Sequence, residues 1–500
     1  MQYAGYAHLI NQDSISAIAP AISAEVRSVT RKETIGQTIA VPAKLAPAPD
    51  DRLGHVLFAI KHEGINLQVL AQALPAIPEP EIRQAFDASP NSQYLRKACF
   101  LWEHFTGETI QRATESIQQA YVPLFNPKAY ITGQGQKNPR WRVIFNGLGT
   151  LDYCITVRRT RELQALLDEH LLQKATEFTE SLPKDILNRT LAWAYLHETR
   201  DSYAIENEAP SEDKATRFVN LLKQAHSPRK LDEDYLVDLQ NAVISNVYSQ
   251  AVSFRTEQNY LSNGLRGALG VTYVPPAPEL SRSLMEQLMA LANQPPEAVD
   301  PLVLASIVSF GFVFVHPFMD GNGRLSRFLF HQVLCQRGAL QNGLVLPVSI
   351  VLRQNESEYL SVLQAFSEQA RQYWDVIYID ENQFQFEFKG DEALYRYWDG
   401  THCAEFMCRA TKQAIEQHLK EETVFLTRYD EIYRRIDQAF DIPNTDLSRL
   451  VMFCLDQNGR ISNHRRKQYQ YSVPEEVFDA LEKTYQGVVS GADSEMRKER

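Results

Sequence analysis

Cysteine is scarce in this chain of 500 residues, and the spacing of the cysteines argues against both a disulfide framework and a zinc site. The six cysteines are Cys99, Cys154, Cys335, Cys403, Cys408 and Cys454. Their scattered positions do not resemble a disulfide framework, and no second pair of ligands follows Cys403 and Cys408 to complete a zinc site beside His402. We therefore expect reduced, partly buried thiols.

The chain also lacks a long uninterrupted hydrophobic run and an excess of positive charge. Its most apolar segment, VLASIVSFGFVFV, is interrupted by Ser306 and Ser309 and is shorter than the roughly 18 residues that a spanning helix needs. The first residues, MQYAGYAHLINQDS, show no basic start followed by an apolar core, so no secretory signal is predicted. A net charge of −11 argues against broad, charge-driven binding to nucleic acid or acidic membranes. We expect a cytoplasmic protein that does not bind membranes.

Residue patterns predict a mainly α protein with three regions. Its length is enough for two to four domains, and helical patterns dominate from about residue 160 onward. Residues 1–180 are predicted to be an N-terminal region of unknown role, partly helical, with a short β-hairpin or a pair of short strands around Asn146-Gly147. Residues 181–375 form the second region, and residues 376–500 form a helical C-terminal region with a disordered tail, GADSEMRKER.

A β-hairpin is predicted inside the helical second region. The segment FRTEQNYLSNGLRGALGVTYVPP, from Phe254 to Pro276, has strand-like ends separated by glycine and asparagine residues. Glycine and asparagine favour turns because they adopt left-handed backbone conformations at little cost. We interpret this segment as a flap between two amphipathic helices.

The twelve residues HPFMDGNGRLSR, from His316 to Arg327, bring together groups whose order packing does not explain. Gly321 and Gly323 lack side chains, so an anion can approach the backbone N–H groups closely, and the helix predicted to follow presents its N-terminus there. Arg324 and Arg327 are three residues apart and share one helix face, where guanidinium groups suit phosphate oxygens. This combination predicts a site for a phosphate chain.

Two further side chains of this segment are suited to chemistry on a bound phosphate chain. His316 carries an imidazole that can accept a proton near neutral pH. Asp320, four residues later, could hold Mg²⁺ against the same phosphates. A histidine beside a core helix, a GNG turn and two helical arginines each have a structural explanation when taken singly. Their conjunction in twelve residues favours a functional site.

The segment matches the motif of the Fic family, H-P-F-x-[D/E]-G-N-G-R-x-x-R, and the resemblance covers about residues 190–375. It implies a helical Fic fold with a β-hairpin flap beside the nucleotide, to which this chain adds mostly helical N-terminal and C-terminal extensions. It also implies an activity, the transfer of AMP from ATP to a Ser, Thr or Tyr hydroxyl of a target protein, with release of pyrophosphate.

The resemblance assigns a role to each motif residue. His316 would take the proton from the target hydroxyl, and Asp320 would hold Mg²⁺ between the α- and β-phosphates. Arg324 would contact the β-phosphate region and Arg327 the γ-phosphate. The anion cradle would be formed by Gly321, Asn322 and Gly323.

Other implied contacts lie outside the catalytic loop. Phe318 would be a core anchor, and Tyr359 in EYLSVL resembles a family tyrosine near the adenosine. The part of the flap that clamps the target by strand-like pairing would be Asn259, Tyr260 and Leu261.

A second motif, SYAIEN, runs from Ser202 to Asn207 and fits the family pattern S/T-x-x-x-E-G/N. Ser202 and Glu206 are four residues apart, so both would lie on one helix face. A polar helix end is the alternative explanation. In the family subgroup that this position resembles, the glutamate pairs with the second motif arginine, here Arg327, and inhibits the enzyme. ATP could then bind only with its γ-phosphate displaced.

Alternatives to an autoinhibited AMP transferase remain open at this stage. One is a regulatory protein whose pocket only senses nucleotide, bound to DNA through a C-terminal winged helix; the intact His316 argues against it, since a sensor needs no base. The basic cluster of such a DNA reader would be Arg460, His464, Arg465, Arg466 and Lys467. A helical extension for docking or a homodimer is the other interpretation of this region. A third function is removal of AMP from a modified protein, with Glu206 positioning water. Self-modification is also left open.

Overall fold

The computed structural model describes residues 2–20, 22–113, 117–244, 249–341, 343–380 and 383–496. Helices dominate this part of the chain, and the strands are short and form five small sheets, so the predicted mainly α class is confirmed. Within the same residues, no helix combines the length and the apolar character that crossing a bilayer requires.

The bounds of the regular elements follow in chain order. The helices are α1 (Gly5–Asp13), α2 (Arg52–His62), α3 (Leu67–Ala73), α4 (Glu79–Ala88), α5 (Gln93–Thr106), α6 (Arg161–Asp168), α7 (Leu171–Glu180), α8 (Lys184–Ile205), α9 (Glu212–Gln224), α10 (Glu233–Val243), α11 (Pro278–Asn293), α12 (Pro301–Val315), α13 (Asn322–Gln336), α14 (Val348–Gln354), α15 (Glu356–Arg371), α16 (Ala393–Arg396), α17 (Thr401–Gln413), α18 (Lys420–Ala439), α19 (Asn444–Asp456), α20 (Asn463–Tyr469) and α21 (Glu475–Met496). The strands are β1 (Tyr3–Ala4), β2 (Ser23–Val26), β3 (Glu33–Ile35), β4 (Thr38–Val41), β5 (Val122–Pro123), β6 (Gln136–Asn138), β7 (Val143–Phe145), β8 (Leu148–Gly149), β9 (Cys154–Thr156), β10 (Leu261–Ser262), β11 (Val271–Tyr273), β12 (Trp374–Asp380), β13 (Gln383–Phe388) and β14 (Tyr397–Asp399).

Most strands pair with strands near them in the chain, whereas β14 (Tyr397–Asp399) pairs with β9 (Cys154–Thr156); the helices build most of the core. Their orders are β1-β2-β4-β3, β5-β7-β6, β14-β9-β8, β10-β11 and β12-β13. The pair β10-β11 is antiparallel, with Leu261 opposite Tyr273, which confirms the predicted hairpin flap.

The helix pair α12–α13 lies at the centre of the largest hydrophobic cluster. Residues 302–312 of α12 are all buried, which its continuous apolar sequence requires, and Asp300 caps its start by accepting a hydrogen bond from the N–H of Leu302 at 2.8 Å. Helices α8, α10, α11, α14, α15 and α17 contribute to the same cluster. A second cluster joins α1–α5, and a third joins α18–α21. Because its turn joins two buried helices, the predicted phosphate site rests on a firm scaffold.

The hairpin expected around Asn146-Gly147 does not form, whereas the alternative of two short strands does. Strand β7 pairs with β5 and β6, while β8 pairs with β9 in another sheet. The side chain of Asn146 exchanges two hydrogen bonds with the backbone of Phe125, each 2.9 Å long. These bonds fix the chain where it passes from one sheet to the next.

The C-terminal region differs from the sequence-based expectations in four respects. Strands β12 and β13 form an antiparallel hairpin that was not predicted. Residues 400–496 contain no strand, so the described C-terminal helices lack the wing of a winged helix. Arg466 of the basic cluster is held by a set of three carboxylates, those of Glu475, Asp479 and Glu482. Helix α21 continues through Met496, where we expected disorder from Gly491, because extending an existing helix is far easier than starting one; residues 497–500 lie outside the described residues.

Candidate active site

His316 lies where α12 ends and the glycine-containing loop begins. It is the C-terminal cap of α12, with a left-handed backbone at φ 53°, and Pro317 prevents the helix from continuing. Its Nδ1 lies 3.0 Å from the carbonyl oxygen of Val313. Because a carbonyl can only accept, Nδ1 carries the proton and Nε2 keeps a lone pair. Burial lowers the pKa of His316 to about 4, so the imidazole is neutral at pH 7 and ready to accept a proton.

The loop after His316 is held in shape by amide side chains. Phe318 is buried between Phe254 and Phe312, as expected for a core anchor. Asn322 accepts from the N–H of Phe318 at 3.0 Å and donates to its carbonyl at 2.8 Å. The side chain of Asn259, from the flap, donates to the same carbonyl at 2.9 Å. The Asn322 side chain therefore fixes the loop rather than pointing into the cradle.

The N-terminus of α13 forms a narrow cradle. Gly321 adopts φ 87°, a left-handed conformation that favours glycine, and its N–H donates to Asp320 Oδ1 at 2.6 Å. At Gly323 a Cβ atom would lie 2.1 Å from Glu206 Oε1, so any larger residue there would require the Glu206 side chain to move. A carboxylate oxygen thus already occupies the space above the helix N-terminus, where anions are favoured.

The second motif arginine, Arg327, is buried and engaged by the end of α8. Its Nε donates to Ser202 Oγ at 2.7 Å, and its Nη2 donates to the Ser202 carbonyl at 2.7 Å and to Glu206 Oε1 at 2.8 Å. This is the ion pair that the family resemblance implies. Burial acts to raise the pKa of Glu206, but Arg327 and then Arg324 outweigh it, so the pKa lies below its usual value. Nη1 of Arg327 has no hydrogen-bond partner among the described residues, which leaves a buried donor suited to a ligand oxygen.

The first motif arginine, Arg324, is engaged in a similar way by a residue that the sequence did not single out. Its Nη1 donates to Glu208 Oε2 at 2.9 Å and to the Val243 carbonyl at 3.1 Å, and its Nη2 lies 3.3 Å from Asp320 Oδ1. The guanidinium also lies over the ring of Tyr203 at 5.1 Å. Both arginines predicted to bind phosphate are therefore paired with carboxylates from one short segment.

A helix cap places that segment. The N–H of Asn207 donates to the Ala204 carbonyl at 3.0 Å, and the N–H of Glu208 donates to the Tyr203 carbonyl at 3.1 Å. With Asn207 at φ 57°, this is the Schellman arrangement that ends many helices, and it requires a left-handed residue at this position. Asparagine and glycine meet that requirement most easily, which gives the G/N of the motif a physical reason.

Arg255 is a second site residue that the sequence did not single out, because no local pattern distinguishes it. Its Nε donates to the His316 carbonyl at 2.8 Å, its Nη1 donates to the Glu257 carbonyl at 3.1 Å, and its Nη2 donates to the Pro276 carbonyl. Its own N–H donates to the Pro317 carbonyl at 2.8 Å. Burial lowers the pKa of Arg255 to about 10. The residue ties both ends of the flap to the backbone of the candidate base.

The three flap residues expected to contact a target do not share one environment. Asn259 is buried and bonded to the loop, and Tyr260 packs on Phe384 and Phe386 of the hairpin β12-β13. Leu261 is 40% exposed. Of the three, Leu261 is the one whose side chain is most open to a partner; Asn259 and Tyr260 position the flap.

Tyr359 is buried between Phe310 and Phe406, close to Arg327. Burial raises the pKa of Tyr359, although Arg327 counteracts this. The cavity beside it measures about 10 Å³, which is too small for a nucleoside. Contact with adenosine stays a prediction for this residue.

Asp320 has the chemical surroundings that a Mg²⁺ ligand beside bound phosphates would need. Its side chain is 46% exposed, and the described residues contain no group of three or more His, Cys, Asp or Glu side chains that could hold a metal by themselves. Mg²⁺ is commonly held by one or two carboxylates together with substrate phosphates and water, so a single partly exposed carboxylate beside a phosphate cradle fits this ion.

A neutral histidine, a glycine cradle at a helix N-terminus and two buried arginines are the groups that the sequence predicts for a phosphate-binding site with a general base. Residues 230–334, which include all of these groups, match the model of the Fic/DOC family, so this part of the chain is similar to a Fic domain. The segment that ends α8 lies outside the matched residues.

Two curated relatives show the extent of the similarity. The chain is 28% identical over 164 residues to protein adenylyltransferase Fic of Nematostella vectensis, covering 31% of this chain and 33% of the relative. It is 30% identical over 139 residues to protein adenylyltransferase fic-1 of Caenorhabditis elegans, covering 26% and 25%. The chain thus spans about a third or less of the length of these relatives.

Solved structures resemble the chain more loosely. A Fic family protein from Desulfovibrio desulfuricans G20 has a TM-score of 0.40 and 18% identity, covering 62% of this chain and 87% of that chain. Residues 134–508 of Fic-1 from C. elegans give a TM-score of 0.34 and 14% identity, covering 74% and 91%.

Proposed function

We propose that this protein is an autoinhibited protein adenylyltransferase, which transfers AMP from ATP to a Ser, Thr or Tyr hydroxyl of a target protein. The observation that carries the proposal is the neutral, Nδ1-protonated His316 at the edge of a cradle formed by a helix N-terminus and two buried arginines. A pocket that only sensed nucleotide would have no use for a base held in this tautomer. The relatives that are named protein adenylyltransferases support the same activity.

The transfer step follows from this geometry. Nε2 of His316 accepts the proton of the target hydroxyl while that oxygen attacks the α-phosphorus of ATP. The bond between the α-phosphorus and the bridging oxygen breaks, and pyrophosphate carries the electron pair away. Arg324 and Arg327 hold the β- and γ-phosphates at the N-terminus of α13. Asp320 would hold Mg²⁺, which would supply positive charge to the phosphates.

Autoinhibition is proposed from the position of Glu206. Its carboxylate takes the Nη2 donor of Arg327 and fills the space above Gly323. A γ-phosphate needs the same arginine and the same space. While Glu206 stays in place, the triphosphate cannot settle with its α-phosphorus in line for attack. The target protein, self-modification and a homodimer stay predictions.

AMP removal from a modified protein is the second candidate. It is favoured by one observation, that Glu206 Oε1 fills the space above Gly323, at the N-terminus of the helix that follows the His316 loop. A carboxylate in that place could orient a water for attack on the phosphorus. Transfer and removal predict opposite effects of replacing Glu206: loss of its carboxylate should raise transfer but abolish removal.

The test of the proposed base is His316→Ala in a Glu206→Gly background, where transfer is released. Labelling of target protein from α-labelled ATP should fall to background, while calorimetry shows ATP affinity nearly unchanged, because other groups hold the phosphates. His402→Ala, at a surface histidine that is 78% exposed, is the matched control. Continued turnover by the His316 variant together with lost ATP affinity would refute its role as base.

A further inference from the structure

We infer that Glu208 is a second inhibitory carboxylate, which occupies Arg324 as Glu206 occupies Arg327, so that the two glutamates together block both phosphate-binding arginines. The inference rests on the proposed function, because it assigns the regulation of the same site. It goes beyond the motif S-x-x-x-E-N, which ends at Asn207.

The contact of Glu208 is as well formed as that of Glu206. Glu208 Oε2 lies 2.9 Å from Nη1 of Arg324, and Glu206 Oε1 lies 2.8 Å from Nη2 of Arg327. The side chains of both arginines are 2% exposed, and those of the glutamates are 35% and 36% exposed. Each pair therefore joins a buried guanidinium to a carboxylate at the mouth of the site, where a nucleotide phosphate could replace it.

Arg324 would stay in place without Glu208. Its Nη1 also donates to the Val243 carbonyl, its Nη2 reaches Asp320, and its guanidinium lies over the Tyr203 ring. Tyr203 is itself fixed, since its hydroxyl donates to the Val243 carbonyl at 2.8 Å. Loss of Glu208 would thus free a donor without releasing the side chain, which is what competition with a ligand requires.

One backbone feature aims both carboxylates at α13. Glu206 and Glu208 flank Asn207, whose left-handed conformation turns the chain at the end of α8. On the two sides of this turn, Glu206 contacts Arg327 and Glu208 contacts Arg324, so both carboxylates meet α13. The two glutamates therefore act on neighbouring turns of one helix, three residues apart at Arg324 and Arg327.

The two contacts predict different nucleotide dependences. If Arg324 serves the β-phosphate and Arg327 the γ-phosphate, Glu208 competes with ATP and with ADP, whereas Glu206 competes with ATP alone. AMP has neither a β- nor a γ-phosphate, so replacing either glutamate should leave the affinity for AMP unchanged.

The experiment is calorimetric titration of ATP, ADP and AMP, at fixed Mg²⁺, into the full chain and its variants. Glu208→Gln should tighten ATP and ADP by about threefold to tenfold, the size expected for one charge-assisted contact to a partly exposed carboxylate, and leave AMP unchanged. Glu206→Gln should tighten ATP alone. In labelling from α-labelled ATP, the double variant should exceed Glu206→Gln.

Two further variants control for charge and for folding. Glu212→Gln removes the same charge four residues along, at an exposed position in the first turn of α9, and should change none of the affinities. Glu208→Asp keeps the charge but shortens the side chain, so it should act like Glu208→Gln if reach to Arg324 is what matters. Thermal melts confirm that the variants are compared at equal folded fraction.

The outcomes separate this inference from the proposed function. If Glu208→Gln and Glu208→Asp matched Glu212→Gln for all three nucleotides, with normal melts, Glu208 would not be inhibitory, whatever Glu206 does. The variants could instead show the expected changes in nucleotide affinity while none of them transfers AMP. That result would support the competition at Arg324 and overturn the proposed adenylyltransferase activity.

Discussion

Replacing Glu206 gives the most discriminating test of the proposed autoinhibition. Glu206→Gly removes the carboxylate that accepts from Arg327 at 2.8 Å and fills the space above Gly323. The freed guanidinium can then bind the γ-phosphate, and the triphosphate can settle in line for attack. Target labelling should therefore rise.

The size of the rise follows from the contact that is lost. A hydrogen bond to a charged group contributes about 1.5–3 kcal/mol, and the low end applies here because the Glu206 side chain is 36% exposed and screened by solvent. About 1.4 kcal/mol corresponds to tenfold in rate, so transfer should increase by tenfold or more.

The assay is incorporation of label from α-labelled ATP into target protein and into the chain itself, at folded fractions matched by thermal melts. Glu206→Gly with His316→Ala should return to background, because released phosphates do not replace the base. Arg327→Ala should not activate, although it breaks the same ion pair, since it also removes the phosphate contact. A merely structural ion pair would make both single variants less stable and less active.

The reasoning would be refuted by loss of labelling in Glu206→Gly with a normal melt. That result would favour the AMP-removal role, in which Glu206 orients water. A synthetic AMP-modified target incubated with the parent chain would then release AMP, and Glu206→Gly would abolish the release.

Three further predictions concern the metal, the base and the cap. Asp320→Ala should raise the Mg²⁺ concentration needed for half-maximal transfer steeply; a metal titration unchanged from the parent would remove Asp320 from the metal site. In an activated variant, kcat/KM should stay constant as pH falls from 8 to 5 and should decline only near pH 4. The reason is that burial lowers the pKa of His316 to about 4, so the base stays deprotonated above that pH. A decline of kcat/KM centred near pH 6.5 would contradict this prediction. Asn207→Val should weaken the helix cap by about 1–2 kcal/mol and raise labelling, whereas Asn207→Gly should resemble the parent; equal labelling in both variants would count against the cap.

The features that could be predicted from the sequence are those set by residues close together in the chain. Apolar continuity marked α12, the Pro and Gly residues marked the turn after it, and helical periodicity marked α13. The spacing of Ser202 and Glu206 predicted that both would face one partner, and both do contact Arg327, although Glu206 lies just beyond the helix end. The alternation QFQFEF in β13 is also a strand signal, which the prediction of a helical C-terminal region did not use.

Contacts between distant segments could not be predicted in the same way. Glu208 meets Arg324 across 116 positions and Arg255 meets His316 across 61. Nothing in the neighbourhood of either residue distinguishes it from an ordinary surface glutamate or arginine. Their partners are set by how α8 and the flap pack on the pair α12–α13. Asn259 shows the same limit, since its position in the flap suggested a partner outside the chain while its side chain is bonded to the loop at Phe318.

Under the proposed autoinhibition, Gly323 is common to the inhibited and the nucleotide-binding states of the site. The atom missing from its side chain leaves the space that Glu206 Oε1 fills, and the same space lies at the N-terminus of α13, where the helix dipole favours a phosphate oxygen. A carboxylate and a phosphate both present oxygen acceptors with negative charge, so a cradle built for one also binds the other. Inhibition from within the chain therefore needs no separate inhibitory pocket. It needs only a carboxylate held at the correct place, and the cap at Asn207 supplies that position.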